Sequence, residues 1–242
     1  MEVAVFSPAF IFTDDDHYGT GDSKATSQES FEERKHNFCG TELFIREFSF
    51  HGLNGNLLWK GTLFFADWLV HNTSWLRGRR CIELGSGTGA LAIFLYKRFH
   101  LDITTSDYND QEIEDNIAHN CRLNGIIPSI PHIRHTWGDE FPVPDPEWDL
   151  VIASDILLYV AEYPNLIKTI VFLLKHYNPR KINTAKQPCG TNIGPPRPAF
   201  LMSWRRRIGK EDMSFFSGCE DAGLEVEHLG SRVFLIKPMT HL

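Results

Sequence analysis

The feature that most constrains this chain is Glu83-Leu84-Gly85-Ser86-Gly87-Thr88-Gly89. It overlaps the end of a short apolar run, Arg80-Cys81-Ile82-Glu83-Leu84, of the kind that forms a buried strand. It precedes Ala90 to Phe99, an apolar segment of helix length. Glycines between a strand and a helix permit a tight turn and let a ligand approach the backbone at a helix N-terminus. A Walker loop would need Gly-Lys-Ser/Thr, and no Lys follows. A dinucleotide fingerprint would place one more residue before the third glycine. The spacing here is G-x-G-x-G, preceded by the acid Glu83. Asp107 closes the next strand candidate, 22 residues after Gly85. A carboxylate at that point can accept hydrogen bonds from both hydroxyls of a ribose.

Around this turn the hydrophobic pattern repeats. Strands are expected at 80–84, 101–105, 132–136, 148–153 and 200–204, with helices at 90–99, 110–123, 163–177 and 211–222 between them. The helix at 110–123 ends at Asn124-Gly125, a good stop. Leu166, Ile167, Ile170, Val171 and Leu174 form the buried stripe of the helix at 163–177. Gly230-Ser231 joins two closing strands, 224–229 and 232–237, as a hairpin. Strands alternating with helices imply an α/β fold, a doubly wound and mainly parallel seven-stranded sheet of Rossmann-like type, with one strand reversed by the final hairpin.

The chain divides into an N-terminal β extension over 1–58 and a ligand-binding domain over 59–242. Residues 1–12 could form a strand, and 42–50 read as another. Residues 13–37 are polar, begin with Asp14-Asp15-Asp16, and read as a mobile loop. Residues 178–198 hold five prolines and two glycines with no period, and are expected to be a loop insertion shaping the substrate entrance.

Composition excludes several classes. The net charge of −7 argues against a nucleic-acid partner, which needs a basic face, and Arg205-Arg206-Arg207 reads as a solvated loop. No apolar run is long enough for a membrane-spanning helix, and no secretion signal is expected from Met1-Glu2, with Pro8 close behind. Five scattered cysteines (Cys39, Cys81, Cys121, Cys189, Cys219) lack C-x-x-C spacing, so neither disulfides nor zinc are expected, and a cytoplasmic location, with the nucleus also open, fits. The histidines show no ligand spacing: His132 and His135 would face opposite sides of a strand, and no metal site is expected.

Gly85-Ser86-Gly87-Thr88-Gly89 with Asp107 resembles motif I of the seven-strand methyltransferases, which use S-adenosylmethionine (SAM). From about Phe44 to Lys237 the chain is similar to methyltransferase family 16, which contains many protein lysine methyltransferases. Leu58-Trp59-Lys60-Gly61-Thr62 and Trp137-Gly138-Asp139 match two further family segments. The resemblance implies that Glu83, Gly85, Ser86, Gly87 and Asp107 hold SAM. It also implies that Trp59 packs near its methionine end, that Trp137 flanks the adenine, and that Ser154 lies beside it. An indole offers a flat apolar face to a purine; taken without the resemblance, core packing is the favoured reading of Trp59 and an equal one for Trp137.

In the family's lysine methyltransferases an acid at the end of the fourth strand is followed three residues later by an aromatic, D-x-x-Y. Here Asp155 matches the acid, Leu158 stands at the aromatic position, and Tyr159 follows it. Asp155 could face the acceptor amine or serve as a helix N-cap, which needs the same residue type. Tyr159 could reach the site if a helical turn brings i+4 beside i+3. The expected activity is SAM-dependent methyl transfer to a protein lysine by a monomer. Two alternatives are a small molecule or another protein atom as acceptor, and a SAM-binding interaction protein without catalysis.

Overall fold

The computed structural model describes residues 31–48, 51–52, 55–180, 195–205 and 212–239. Its sheet has the order β5-β4-β3-β6-β7-β9-β8. The strands are β3 (Arg80–Leu84), β4 (Asp102–Asp107), β5 (His132–Arg134), β6 (Leu150–Ser154), β7 (Ala199–Ser203), β8 (Leu224–His228) and β9 (Val233–Pro238). Pairings from β5 to β7 are parallel, and β9 runs antiparallel to both neighbours. The helices are α1 (Lys60–His71), α2 (Ala90–Phe99), α3 (Gln111–Leu123), α4 (Tyr163–Lys175) and α5 (Asp212–Asp221).

The central strands β3, β6 and β7 are buried at nearly every position and mostly apolar, because both faces are covered. In β6, Leu150 and Ile152 join the core beneath α1, α2 and α3, while Val151 and Ala153 join the core beneath α4. In α2, Ala90 to Leu95 are all buried. No described helix is long and apolar enough to cross a membrane.

Adjacent β3 and β6 continue in opposite directions, β3 toward β4 and β6 toward β7. A crevice opens outside their carboxyl ends, the usual ligand position in such sheets. The glycine turn follows β3, and Asp155 follows β6.

Two expectations are corrected. Residues 31–37, read as part of a mobile loop, belong to strand β1 (Phe31–Phe38), which pairs antiparallel with β2 (Thr41–Phe48). Their polarity reflects an exposed hairpin held by cross-strand contacts. Arg34 meets buried Glu47 at 3.2 Å, Lys35 meets Glu42 at 2.5 Å, and Phe31 packs on Phe48. The strand expected at 1–12 and the rest of the polar loop, 13–30, lie outside the described residues, as do Cys189, Arg206 and Arg207.

The second correction concerns the proline-rich insertion. A helix that follows a parallel strand runs back along it, so the chain leaving α4 emerges where the strands begin, at the pole away from the crevice. There Asn178 donates its N–H to Pro146, Arg79 donates to the carbonyls of Pro195 and Pro196, and Arg197 reaches Asp149 and Gly78. The described ends of the insertion, 178–180 and 195–198, therefore do not border the substrate entrance; its middle, 181–194, lies outside the described residues.

Candidate active site

The glycine turn is shaped by its own backbone and by β4. Gly85, Gly87 and Gly89 all have positive φ. At Gly85 a side chain would be excluded twice: φ is +64°, and an added Cβ would lie 2.7 Å from Cγ2 of Ile156. Ser86 donates its N–H to Ser106 at 3.1 Å, and its Oγ accepts the Ser106 N–H at 3.1 Å. The Asp107 carboxylate accepts the Gly87 N–H through Oδ2 and the Tyr108 N–H through Oδ1, each at 2.7 Å. A carboxylate has about four acceptor positions, so Asp107 keeps capacity toward the crevice.

Glu83 points into the same space from β3. It is 2% exposed, and its Oε2 has no hydrogen-bond partner. Burial, and then the nearby Asp107 charge, push its carboxyl from the ordinary 4.5 up to about 8, against the pull of the Ala92 N–H and Ser86. Asp107 is also raised, first by burial. Such a pair favours a cationic group beside it.

The segment before α1 covers the turn. Gly55 lies across Gly87, close enough that a Cβ on Gly87 would meet the Gly55 carbonyl at 3.5 Å. Buried Glu47 at the end of β2 accepts the Leu58 N–H at 2.8 Å, which anchors the chain just before Trp59. The first turn of α1 is tied to the end of β6. Gly61 donates its N–H to Asp155 Oδ2 at 3.0 Å, and Thr62 Oγ1 lies 3.0 Å from Ser154 Oγ. Asp155 is therefore a helix cap, but of α1 and not of the helix that follows it, whose N-cap is Glu162. It is 3% exposed and has φ +53°, a left-handed conformation that Asp tolerates better than most residues.

Tyr159 reaches the crevice by a different route from the expected helical one. Its backbone is extended, φ −122° and ψ 103°, ahead of a single 3-10 turn at Val160–Glu162. Just ahead of this turn, Leu158 and Tyr159 both line the crevice. On the far side, the turn after β5 is clamped to α4. Thr169 Oγ1 accepts the Gly138 N–H at 3.0 Å and pairs with His135 Nε2 at 3.2 Å, while Lys168 Nζ donates to the Gly138 carbonyl. Burial lowers the His135 pKa, so the ring is held neutral.

These parts enclose one cavity of about 800 Å³. It is lined by all ten residues singled out in the sequence: Trp59, Glu83, Gly85, Ser86, Gly87, Asp107, Trp137, Ser154, Asp155 and Tyr159. Five carboxylates face it (Glu83, Asp107, Asp139, Asp155 and Glu162), and no Lys or Arg does among the described residues. The contributions of Glu47, His135 and Thr169 had no local signal, because each acts through a tertiary contact; Thr62 was marked only as part of the segment 58–62. The size is that of a drug-sized ligand site, and an orphaned buried carboxylate oxygen in a cavity also lined by Trp59 and Trp137 suits a cationic nucleoside such as SAM.

A family model described as "Lysine methyltransferase" (Methyltransf_16) matches residues 38–187. Among curated relatives, the Schizosaccharomyces pombe "Protein N-terminal and lysine N-methyltransferase efm7" is 24% identical over 197 residues, covering 78% of this chain and 71% of that protein. The Xenopus tropicalis "EEF1A lysine methyltransferase 3" is 30% identical over 149 residues, 59% of this chain and 63% of that one. A solved Thermus thermophilus 16S rRNA methyltransferase in complex with AdoMet and guanosine shares the fold at a TM-score of 0.57 and 11% identity, covering 86% of this chain and 51% of that chain.

Proposed function

The chain belongs to the lysine methyltransferase family, a SAM-dependent group, and we propose that within it this protein methylates the ε-amine of a lysine in a cationic stretch of a protein substrate. The observation that carries the choice of acceptor is the acidic lining of the cavity, four carboxylates beside Glu83, which keeps its proton until a cation binds, with no Lys or Arg among the described lining residues. Such a cavity attracts an ammonium group and repels phosphates and acidic small molecules.

SAM, when bound, supplies a methyl group on a sulfonium sulfur, already activated for displacement. The protein's own task is to bind, orient and desolvate. In this reading Asp107 accepts from the ribose, Trp137 offers an apolar face to the base, and Glu83 and Trp59 receive the cationic methionine end. Ser86, Gly85 and Gly87 let the ligand lie against backbone. Asp155, with Ser154 beside it, accepts an N–H of the incoming amine. The walls formed by Leu57, Leu58, Trp59, Leu158 and Tyr159 lower the amine's proton affinity by desolvation, so that it presents a lone pair. The capped first turn of α1 holds Asp155 in place for this.

The test is transfer of labelled methyl from SAM into a protein extract, with Asp107→Ala as control, followed by hydrolysis of the labelled protein. Methyllysine in a discrete protein, absent with the control, is the expected result. Label confined to small molecules, or to an N-terminal α-amine, would overturn the lysine assignment.

A further inference from the structure

Helix α3 and its C-cap present Asn116, Asn120 and Asn124 at i, i+4 and i+8, which puts all three on one side. They are 1%, 0% and 8% exposed. This face does not pack as an apolar stripe. It hydrogen-bonds the outer edge of β2, where a strand would otherwise present unpaired backbone groups. Asn124 Oδ1 accepts the Phe44 N–H at 3.1 Å, and its Nδ2 donates to the Phe44 carbonyl at 2.7 Å. Asn120 Oδ1 accepts the Arg46 N–H at 2.7 Å, and its Nδ2 donates to the Arg46 carbonyl at 3.3 Å. Asn116 Oδ1 accepts from the Arg46 guanidinium at 2.7 Å. A primary amide carries one acceptor and two donors, the equipment needed to stand in for a neighbouring strand.

Asn124 Nδ2 also donates to the Asn120 carbonyl at 2.8 Å and Asn116 Nδ2 to the Arg46 carbonyl at 3.2 Å, but of the three it is Asn120 that reaches the glycine turn. Its Nδ2 also donates to the Thr88 carbonyl at 2.9 Å. Thr88 is 3% exposed, belongs to the glycine turn and lines the cavity. One side chain therefore joins the N-terminal hairpin, helix α3 and the turn that cradles the ligand. We propose that Asn120 is a positioning residue for SAM: its amide fixes the Thr88 peptide and so sets the shape of the glycine turn according to how the β1–β2 hairpin is seated. This rests on the cavity being the SAM site.

Asn120, in the last turn of α3, and Asn124, its C-cap, form a comparable pair, each buried and bonded to β2 through both amide atoms. Asn120→Asp removes an amide donor from the Arg46 and Thr88 carbonyls, and Asn124→Asp removes one from the Phe44 and Asn120 carbonyls, so each weakens the hold on β2 but only the first removes a donor from the glycine turn. Calorimetric titration of SAM into the full chain should show the dissociation constant rising about tenfold for Asn120→Asp, the scale expected when a buried carbonyl loses its donor, and less than about twofold for Asn124→Asp. In turnover the loss should fall on KM for SAM and not on kcat. Equal changes in the two variants, or none in either, would overturn the proposal and leave the ladder a purely structural device. If Asn120→Asp does not fold, hydrogen exchange on the wild-type chain decides. SAM should slow exchange of the Arg46 amide, which bonds Asn120, more than that of the Phe44 amide, which bonds Asn124, and equal responses would sink the idea. A wild-type chain that bound no SAM would instead count against the cofactor site itself.

Discussion

Asp155 and Gly61 are 94 residues apart in the chain, yet the Gly61 N–H donates to Asp155 Oδ2 at 3.0 Å. A carboxylate facing the crevice thus also satisfies an N-terminal amide of α1, where the helix dipole favours a negative charge. The two roles, cap and amine acceptor, can be separated. In Asp155→Asn the amide oxygen can still accept from Gly61, but the charge is gone. The variant should fold, bind SAM within about threefold of wild type, and lose about 100-fold in kcat, the lower range for a group that handles a reacting proton. Single-turnover transfer measured beside calorimetry checks this. Unchanged kcat would reduce Asp155 to a cap. Gly61→Ala should damage both roles, because an added Cβ would collide with the Asp155 carboxylate.

The raised Glu83 carboxyl makes stability and affinity depend on pH in opposite directions. In the folded, ligand-free chain Glu83 holds its proton up to about pH 8, whereas unfolded it ionises near 4.5. The native state then binds more protons between those values, so this group's contribution, complete below about pH 4.5, is lost as pH rises toward 8. A cation placed beside Glu83 favours its ionised form, so SAM binding should release a proton below about pH 8 and tighten as pH rises to that point. Calorimetry in two buffers of different ionisation enthalpy reads the proton directly. Glu83→Gln should abolish the release.

Thr169 supports the turn that carries Trp137 without facing the cavity itself. Thr169→Val keeps the shape but removes the acceptor of the Gly138 N–H, leaving that group unpaired. A loss of stability of about 1–3 kcal/mol is expected by urea denaturation, together with weaker SAM binding. Trp137→Ala should weaken SAM binding with a smaller effect on stability, since Trp137 is half-buried at the cavity wall. A strong destabilisation by Trp137→Ala with SAM affinity intact would mark it as core.

Replacing residues 181–194 with a short Gly-Ser linker should leave SAM affinity within about twofold of wild type, because connections anchored away from a site contribute little to it. The anchors at Arg79, Arg197 and Asn178 hold both ends of the insertion at the opposite pole. A large loss of SAM binding would show that this segment reaches the crevice after all.

What could be read from the sequence were features encoded within a few residues of one another. The strand at 80–84, the glycine turn, helix α2 and the acid at 107 follow each other directly, and each leaves a local mark in periodicity, turn chemistry or charge. The same held for α4, whose apolar stripe is regular. Strand β1 was missed because Glu32, Glu33, Arg34 and Lys35 show no alternation, and its order comes from pairing with β2 and from buried Glu47. The asparagines of α3 were visible at four-residue spacing, but nothing nearby said that they faced a strand edge.

The sequence by itself determined the α/β architecture, the position of the glycine turn and the acid at Asp107, because propensity, hydrophobic period and backbone-turn chemistry act over short stretches of chain; Trp59, Trp137, Ser154, Asp155 and Tyr159 were reached through the resemblance to a family. Tertiary structure alone decided that Asp155 caps α1, that Asn120 ties the hairpin to the turn, that the proline-rich insertion leaves from the far pole, and that the cavity gathers five carboxylates. Those are outcomes of packing between elements 32 to 117 residues apart. Hydrogen-bond geometry and electrostatic environment exist there only once the sheet has brought the elements together.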